Sequence, residues 1–263
     1  MTLLEFMSVA ENEKPLDRMV SDGGFSVIFR TIACIGDSLS SGEFESVDEN
    51  GKGGFHDFYD YSWGQFLGRA TGAKVYNFSR GGMTTKEYME EYADKNALWN
   101  RDKVAQAYII ALGVNDLLGK HVPLGSLDDI CKEDYTKNKP TFYGYYAQII
   151  QRYKQLQPRA KFFLVTIPRE GGANDAIRKN QRDALEELCG FFNRCYLIDL
   201  YTYAPVYDAE FKKKYYRGHM TPTGYVLTAR MIESYIDYLI RKNPSEFAQV
   251  GFIGTDLYIE KEE

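Results

Sequence analysis

Four short stretches of this chain carry residue types that could activate a hydroxyl and steady an oxyanion. Gly36-Asp37-Ser38-Leu39-Ser40 follows an apolar run directly. A strand that stops at glycine presents the next serine at the edge of a sheet, where its hydroxyl could act as a nucleophile. The same Asp or Ser could instead cap a following helix. Ser40 stands where the second glycine of a G-x-S-x-G elbow would be, which argues against that arrangement. In Ser79-Arg80-Gly81-Gly82-Met83-Thr84-Thr85, paired glycines ahead of a helix start could turn backbone N–H groups toward an anion, or form a plain turn with Thr84 as cap. Gly113-Val114-Asn115-Asp116 places an amide after another apolar run, where Asn115 could donate to an oxyanion or close an Asx-turn. His219, in Gly218-His219-Met220-Thr221-Pro222, has the side chain best matched to taking a serine proton near neutral pH. His56 and His121 read as lone surface histidines.

These residues need elements to position them. Strands are expected at Phe29–Ile35, Lys74–Phe78, Ala107–Leu112, Lys161–Ile167 and Cys195–Leu200, where short β-branched and aromatic runs occur. Helices are expected at Ser62–Thr71, Thr84–Asp94, Phe142–Gln155, Asp175–Phe192 and Pro222–Ile240. The last has the strongest start signal, Thr221 as cap and Pro222 as first helical residue. Alternation of near-continuous apolar strands with helices predicts a parallel sheet covered on both faces. Such sheets bind ligands beyond the carboxyl ends of their strands; three of the four stretches follow such strands, and the His219 stretch comes just before the last helix.

Bulk properties narrow the classes. The chain has 263 residues, and its 32 basic against 37 acidic residues give a net charge of -5, which does not suit a nucleic-acid surface. Lys212-Lys213-Lys214, the densest basic run, reads as a solvated helix face. No apolar stretch is long enough to span a bilayer, and the start of the sequence does not read as a leader, so a cytoplasmic location is expected. Cys34, Cys131, Cys189 and Cys195 are too scattered for a disulfide framework, and with three histidines no metal site is expected. Without internal repeats or a linker, residues 1–263 read as one domain. An extension (1–28) precedes it, and a tail (243–263) packs on the body through Phe247, Val250, Phe252 and Ile253. The 21 tyrosines fit either core packing or a sugar-binding surface.

In order and local wording, the four stretches resemble the SGNH (GDSL) hydrolases: Ser38 in Gly-Asp-Ser-Leu, Gly82 in Gly-Met-Thr-Thr, Asn115 in Gly-Val-Asn-Asp, and His219 ahead of the last helix. The resemblance covers roughly residues 30 to 242. It implies an α/β fold of three layers, α/β/α and flavodoxin-like, with a five-stranded parallel sheet. It also implies hydrolysis of carboxylic esters without metal or organic cofactor. Ser38 would be the nucleophile and His219 its base, with the Ser38 and Gly82 N–H groups and the Asn115 amide holding the oxyanion.

One position departs from the family pattern. Tyr216 stands where the family usually has an aspartate three residues before the histidine. Either a backbone carbonyl orients His219, or a carboxylate such as Asp208 or Glu210 does, or efficient catalysis has been lost and the protein binds without turnover. Two long connections, Glu43–Tyr61 and Leu117–Thr141, are expected to build the substrate cleft. Their aromatic and polar character favours a small acyl group, most simply acetyl, on a carbohydrate. A lipase-like or lysophospholipase-like acylhydrolase and a non-catalytic glycan-binding protein are the alternatives. The expected partner is a small-molecule or oligosaccharide ester, with neither nucleic acid nor membrane insertion.

Overall fold

The computed structural model describes residues 7, 9–253, 255 and 257. The five apolar runs become strands β1 (Thr31–Gly36), β4 (Lys74–Ser79), β5 (Ala107–Ala111), β6 (Lys161–Val165) and β7 (Cys195–Ile198). All are parallel, in the order β4-β1-β5-β6-β7, the doubly wound order of flavodoxin-like folds. The observed strand limits differ from the expected ones by only a few residues. Two antiparallel pairs lie outside this sheet: the hairpin of β2 (Glu43–Val47) with β3 (Gly53–Asp57), and the short pair of β8 (Tyr216–Arg217) with β9 (His219–Met220).

The helices in chain order are α1 (Ser38–Ser41), α2 (Trp63–Thr71), α3 (Thr85–Glu87), α4 (Ala93–Lys95), α5 (Phe142–Leu156), α6 (Asp175–Phe191), α7 (Leu200–Tyr203), α8 (Ala209–Tyr215) and α9 (Pro222–Lys242). The helix expected over 84–94 forms as α3 and α4 joined by a π-helical turn at Tyr88–Tyr92. Its start is fixed by a capping box, with Thr84 and Glu87 satisfying each other's backbone N–H groups. Thr221 caps α9 by accepting from the Gly224 N–H, with Pro222 as the first helical residue.

Because strand side chains alternate, each strand feeds two cores. Ala33 and Ile35 of β1, Tyr108 and Ile110 of β5, and Phe162 and Leu164 of β6 pack with Tyr146, Tyr153 and Leu185 of α5 and α6. Their neighbours Ile32, Cys34, Ile109, Phe163 and Val165 pack with Trp63, Leu67, Tyr225 and Ile232 of α2 and α9. Each such fully buried apolar side chain contributes about 1.5–3 kcal/mol relative to exposure. Many of the tyrosines are therefore core residues, and several of their hydroxyls are bonded there: Tyr88 to Tyr153 at 2.6 Å, Tyr146 to the Ile110 carbonyl at 3.0 Å.

The segment ahead of β1 lies along α9, where the Val20 N–H donates to Ser234 Oγ (2.9 Å) and the Phe25 N–H to Asp237 Oδ1 (2.8 Å). After α9, Phe247 stacks on Tyr196 at 4.8 Å, while Phe252 is exposed. Among the described residues, no helix is long and apolar enough to cross a membrane.

Candidate active site

Ser38 is the first residue of α1, immediately beyond β1. Asp37 caps the helix through Oδ1, which accepts from the Leu39 N–H at 3.1 Å. The capping role and the placing of the serine are thus one arrangement, since the cap fixes the turn that lifts Ser38 to the sheet edge. Gly36 is required for space: a Cβ there would overlap the Ser40 hydroxyl. At the first helical position the Ser38 N–H has no acceptor within the helix.

The glycine pair after β4 divides two roles. Gly82 has φ 69°, a left-handed conformation, with open space where a Cβ would project. Its neighbour Gly81 is needed for room, because a Cβ would run into the Glu43 carboxylate. Among the described residues, no acceptor takes the Gly82 N–H.

Asn115 lies beyond β5, in the turn that starts at Val114. Its amide Nδ2 donates to the Met83 carbonyl at 3.2 Å and reaches Asp37 Oδ2 at 3.4 Å. The first contact ties Asn115 to the loop carrying Gly82. The second, long and weak, concerns the hydrogen that a bound oxyanion could take over. Burial pushes the Asp37 carboxyl up to about 7, with the nearby Asp116 charge adding to the effect. Asp116 is itself raised by burial to about 6, against the hydrogen bonds it accepts from Thr85.

His219 begins β9, paired with Arg217 across the tight turn at Gly218, whose φ is 69°. Ser38, Asn115 and His219 line one cavity of about 350 Å³ at the carboxyl ends of the sheet strands. Asp37, Ser40, Thr166, Glu170 and Arg178 add polar walls. The buried Trp63, Leu200, Met220 and Ile232 also line it, so the cavity runs beneath the surface toward α9. Gly82 is absent from its walls.

Neither expected carboxylate faces His219: Asp208 caps α8 by accepting from the Phe211 N–H, and Glu210 is exposed near Lys214. Both belong to the start of α8, and the helix cap holds Asp208 there. The carboxylate that does face the imidazole is Glu43, with Oε1 3.1 Å from His219 Nε2. Burial raises the Glu43 carboxyl, while the neighbouring His219 opposes that rise. The other ring nitrogen, His219 Nδ1, is buried and has no hydrogen-bond partner among the described residues. Burial likewise holds the Tyr216 hydroxyl in its neutral form, so it offers no charge to the ring.

Glu43 reaches His219 because the connection after Ser38 folds as the β2–β3 hairpin. Phe44 anchors the hairpin edge-on to Tyr225 of α9 at 5.2 Å and to Phe58 at 6.0 Å. The Tyr225 hydroxyl donates to the Glu43 carbonyl at 2.6 Å. On the paired strand, Phe55 meets the His219 ring edge-to-face at 5.1 Å. The expectation that both long connections build the cleft needs correction. The walls of the Ser38 cavity include no residue of 117–141, and Leu117, His121, Val122 and Leu124 line a separate cavity with Ile177 and Asn180. The hairpin flanks His219 without lining the cavity.

No curated relative matches this sequence. Among solved structures, a protein from Lactobacillus plantarum aligns with a TM-score of 0.60 at 18% identity, covering 80% of this chain and 97% of that one. A family two carbohydrate esterase from Clostridium thermocellum, solved with cellohexaose, aligns with a TM-score of 0.55 at 18% identity, covering 82% of this chain and 65% of that one. A carbohydrate esterase family 2 enzyme of Corynascus thermopiles with a carbohydrate-binding domain gives 0.52 at 18% identity, covering 83% and 67%. At these identities the likeness concerns the fold. The model of the GDSL-like lipase/acylhydrolase family matches residues 34–227, which contain Ser38, Gly82, Asn115 and His219. The chain belongs to the GDSL-like lipase/acylhydrolase family and is an ester hydrolase.

Proposed function

We propose that the protein is a serine esterase that removes small acyl groups, most simply acetyl, from a carbohydrate. The observation that carries the proposal is the shared cavity of Ser38, Asn115 and His219 at the strand ends. In this mechanism Ser38 Oγ attacks the ester carbonyl as its proton passes to His219. The tetrahedral oxyanion is held by the Ser38 and Gly82 N–H groups and the Asn115 amide. Collapse breaks the bond to the alkoxy oxygen, which takes the proton from His219 and leaves as alcohol. Water then attacks the acyl-serine, giving its proton to His219, and the acid departs as Ser38 is restored.

The carbohydrate reading is supported by the surface beside His219. Phe55 (61% exposed), Phe58 and Tyr61 present open aromatic faces on and after the hairpin, of the kind that stack on pyranose rings. A carbohydrate esterase solved with cellohexaose shares the fold. The buried apolar stretch of the cavity, formed by Trp63, Leu200, Met220 and Ile232, favours a second reading in which longer acyl chains enter beneath α9.

A chain-length series of 4-nitrophenyl esters separates the two, followed by acetylated oligosaccharides as substrates. Preference for acetate and release of acetate from the sugar support the first reading. A clear preference for octanoate or longer overturns it in favour of the second. A binding protein without turnover would show neither, and Ser38→Ala would leave its saccharide affinity unchanged.

A further inference from the structure

We infer that Glu43 supplies the negative charge that stabilises the His219 imidazolium, taking over from the other side of the ring the role of the aspartate that Tyr216 replaces. The inference rests on the esterase reading above and adds a positioning residue to it. Three features carry it. Glu43 Oε1 stands 3.1 Å from Nε2, and both side chains are largely buried, at 16% and 19% exposure, so solvent screens the pair only in part. Glu43 is anchored at its backbone, where the Tyr225 hydroxyl donates to its carbonyl, and its second carboxylate oxygen lies over Gly81, the residue without a Cβ. On the opposite side of the ring, buried Nδ1 has no hydrogen-bond partner among the described residues, so no second carboxylate or carbonyl there does this work.

Other charges near the pair do not replace Glu43. Glu45 lies against Gly218 at the turn and is exposed. Asp57 and Asp37 act on Glu43 as like charges, and Arg217 pairs with His219 only through the backbone register. With Nε2–H donated to Glu43, Nδ1 is the nitrogen that takes the Ser38 proton, and the ring then becomes an imidazolium. An anion close by favours that charged form, whereas a neutral amide in the same place does not.

The experiment compares the unaltered protein with Glu43→Gln, and with Glu45→Gln as the neighbouring control. Ser38 labelling by a fluorophosphonate and 4-nitrophenyl acetate hydrolysis are followed from pH 5 to 9. The expected result is a fall in kcat of about 10-fold or more for Glu43→Gln. The acid limb of its pH–rate profile should move measurably to lower pH, since the anion 3.1 Å from the ring is gone. Glu45→Gln should move neither. A Glu43→Gln protein with an unmoved acid limb overturns the inference, whatever happens to its rate, because a purely structural role lowers activity without shifting the limb. If Glu43→Gln does not fold, Glu43→Asp is read in its place, and an unmoved acid limb with undiminished kcat overturns the inference. Failure of Ser38 to label in the unaltered protein overturns the esterase reading itself, and this inference with it. Labelling that is equal in rate and pH dependence in both proteins overturns the inference alone.

Discussion

Gly81 lies directly beneath the Glu43 carboxylate, with no space between them for a methyl group. Its φ is outside the left-handed region, so alanine is permitted by the backbone and excluded only by the neighbour. Gly81→Ala should therefore fold normally yet push Glu43 away from His219. We expect esterase activity to fall by about the factor seen for Glu43→Gln, with little further loss when the two substitutions are combined. Such non-additivity is the signature of residues acting through one contact. Steady-state kinetics of both single variants and the double variant measure it, and fully additive losses would show that Gly81 acts independently of Glu43.

Asn115 provides a second test, because its amide is tied to Met83 and only weakly to Asp37. Asn115→Ala removes one proposed oxyanion donor while leaving Ser38 and His219 in place. The expected outcome is a fall in kcat of about 10²–10³-fold with a modest change in KM. Ser38 should still be labelled by a fluorophosphonate, though more slowly. A change confined to KM would place Asn115 in ground-state binding and remove it from the oxyanion site.

How far these residues could be read from sequence depended on what each owes to its immediate neighbours. The strands were legible because a strand buried on both faces must be apolar throughout, as Ile32 to Ile35 and Phe162 to Val165 are. Ser38, Gly82 and Asn115 follow strands, and His219 precedes a capped helix, so short strings of sequence identify them. Glu43 has no such local mark. It reads as the first residue of a long loop, and it meets His219 only after the hairpin folds and Phe44 docks on Tyr225. Two stretches far apart in the chain must converge, and nothing in either string encodes the meeting. Asp208 and Glu210 were attractive because they are near His219 in sequence, but a helix cap had already claimed the first. Loop length likewise says that residues 117–141 do something, without saying which side of the fold they cover.

Phe55 tests the saccharide reading separately from the chemistry. Its ring touches His219 on one side and is otherwise open. Phe55→Ala should raise KM several-fold for an acetylated oligosaccharide and leave 4-nitrophenyl acetate hydrolysis within about 3-fold of the starting value, since only the larger substrate would pack against the exposed aromatic face. Equal losses on both substrates would instead mean that Phe55 merely supports the imidazole.

Glu233 lies on α9, 2% exposed, and burial raises its carboxyl from the usual 4.5 to about 7, with Asp22 and Asp237 adding to the rise and Arg230 opposing it. Between these two values the folded chain holds a proton that the unfolded chain has released. Stability from this group is therefore present below about pH 4.5 and is lost as pH rises toward 7. The full difference corresponds to at most on the order of 3 kcal/mol, reduced by solvent screening. Glu233→Gln removes the ionisation, so the variant should gain stability relative to the unaltered protein as pH rises from 5 to 8. Urea unfolding at the two pH values measures this gain. A stability difference between the two proteins that stays constant from pH 5 to 8 would show that Glu233 remains ionised within the fold, its charge compensated by Arg230.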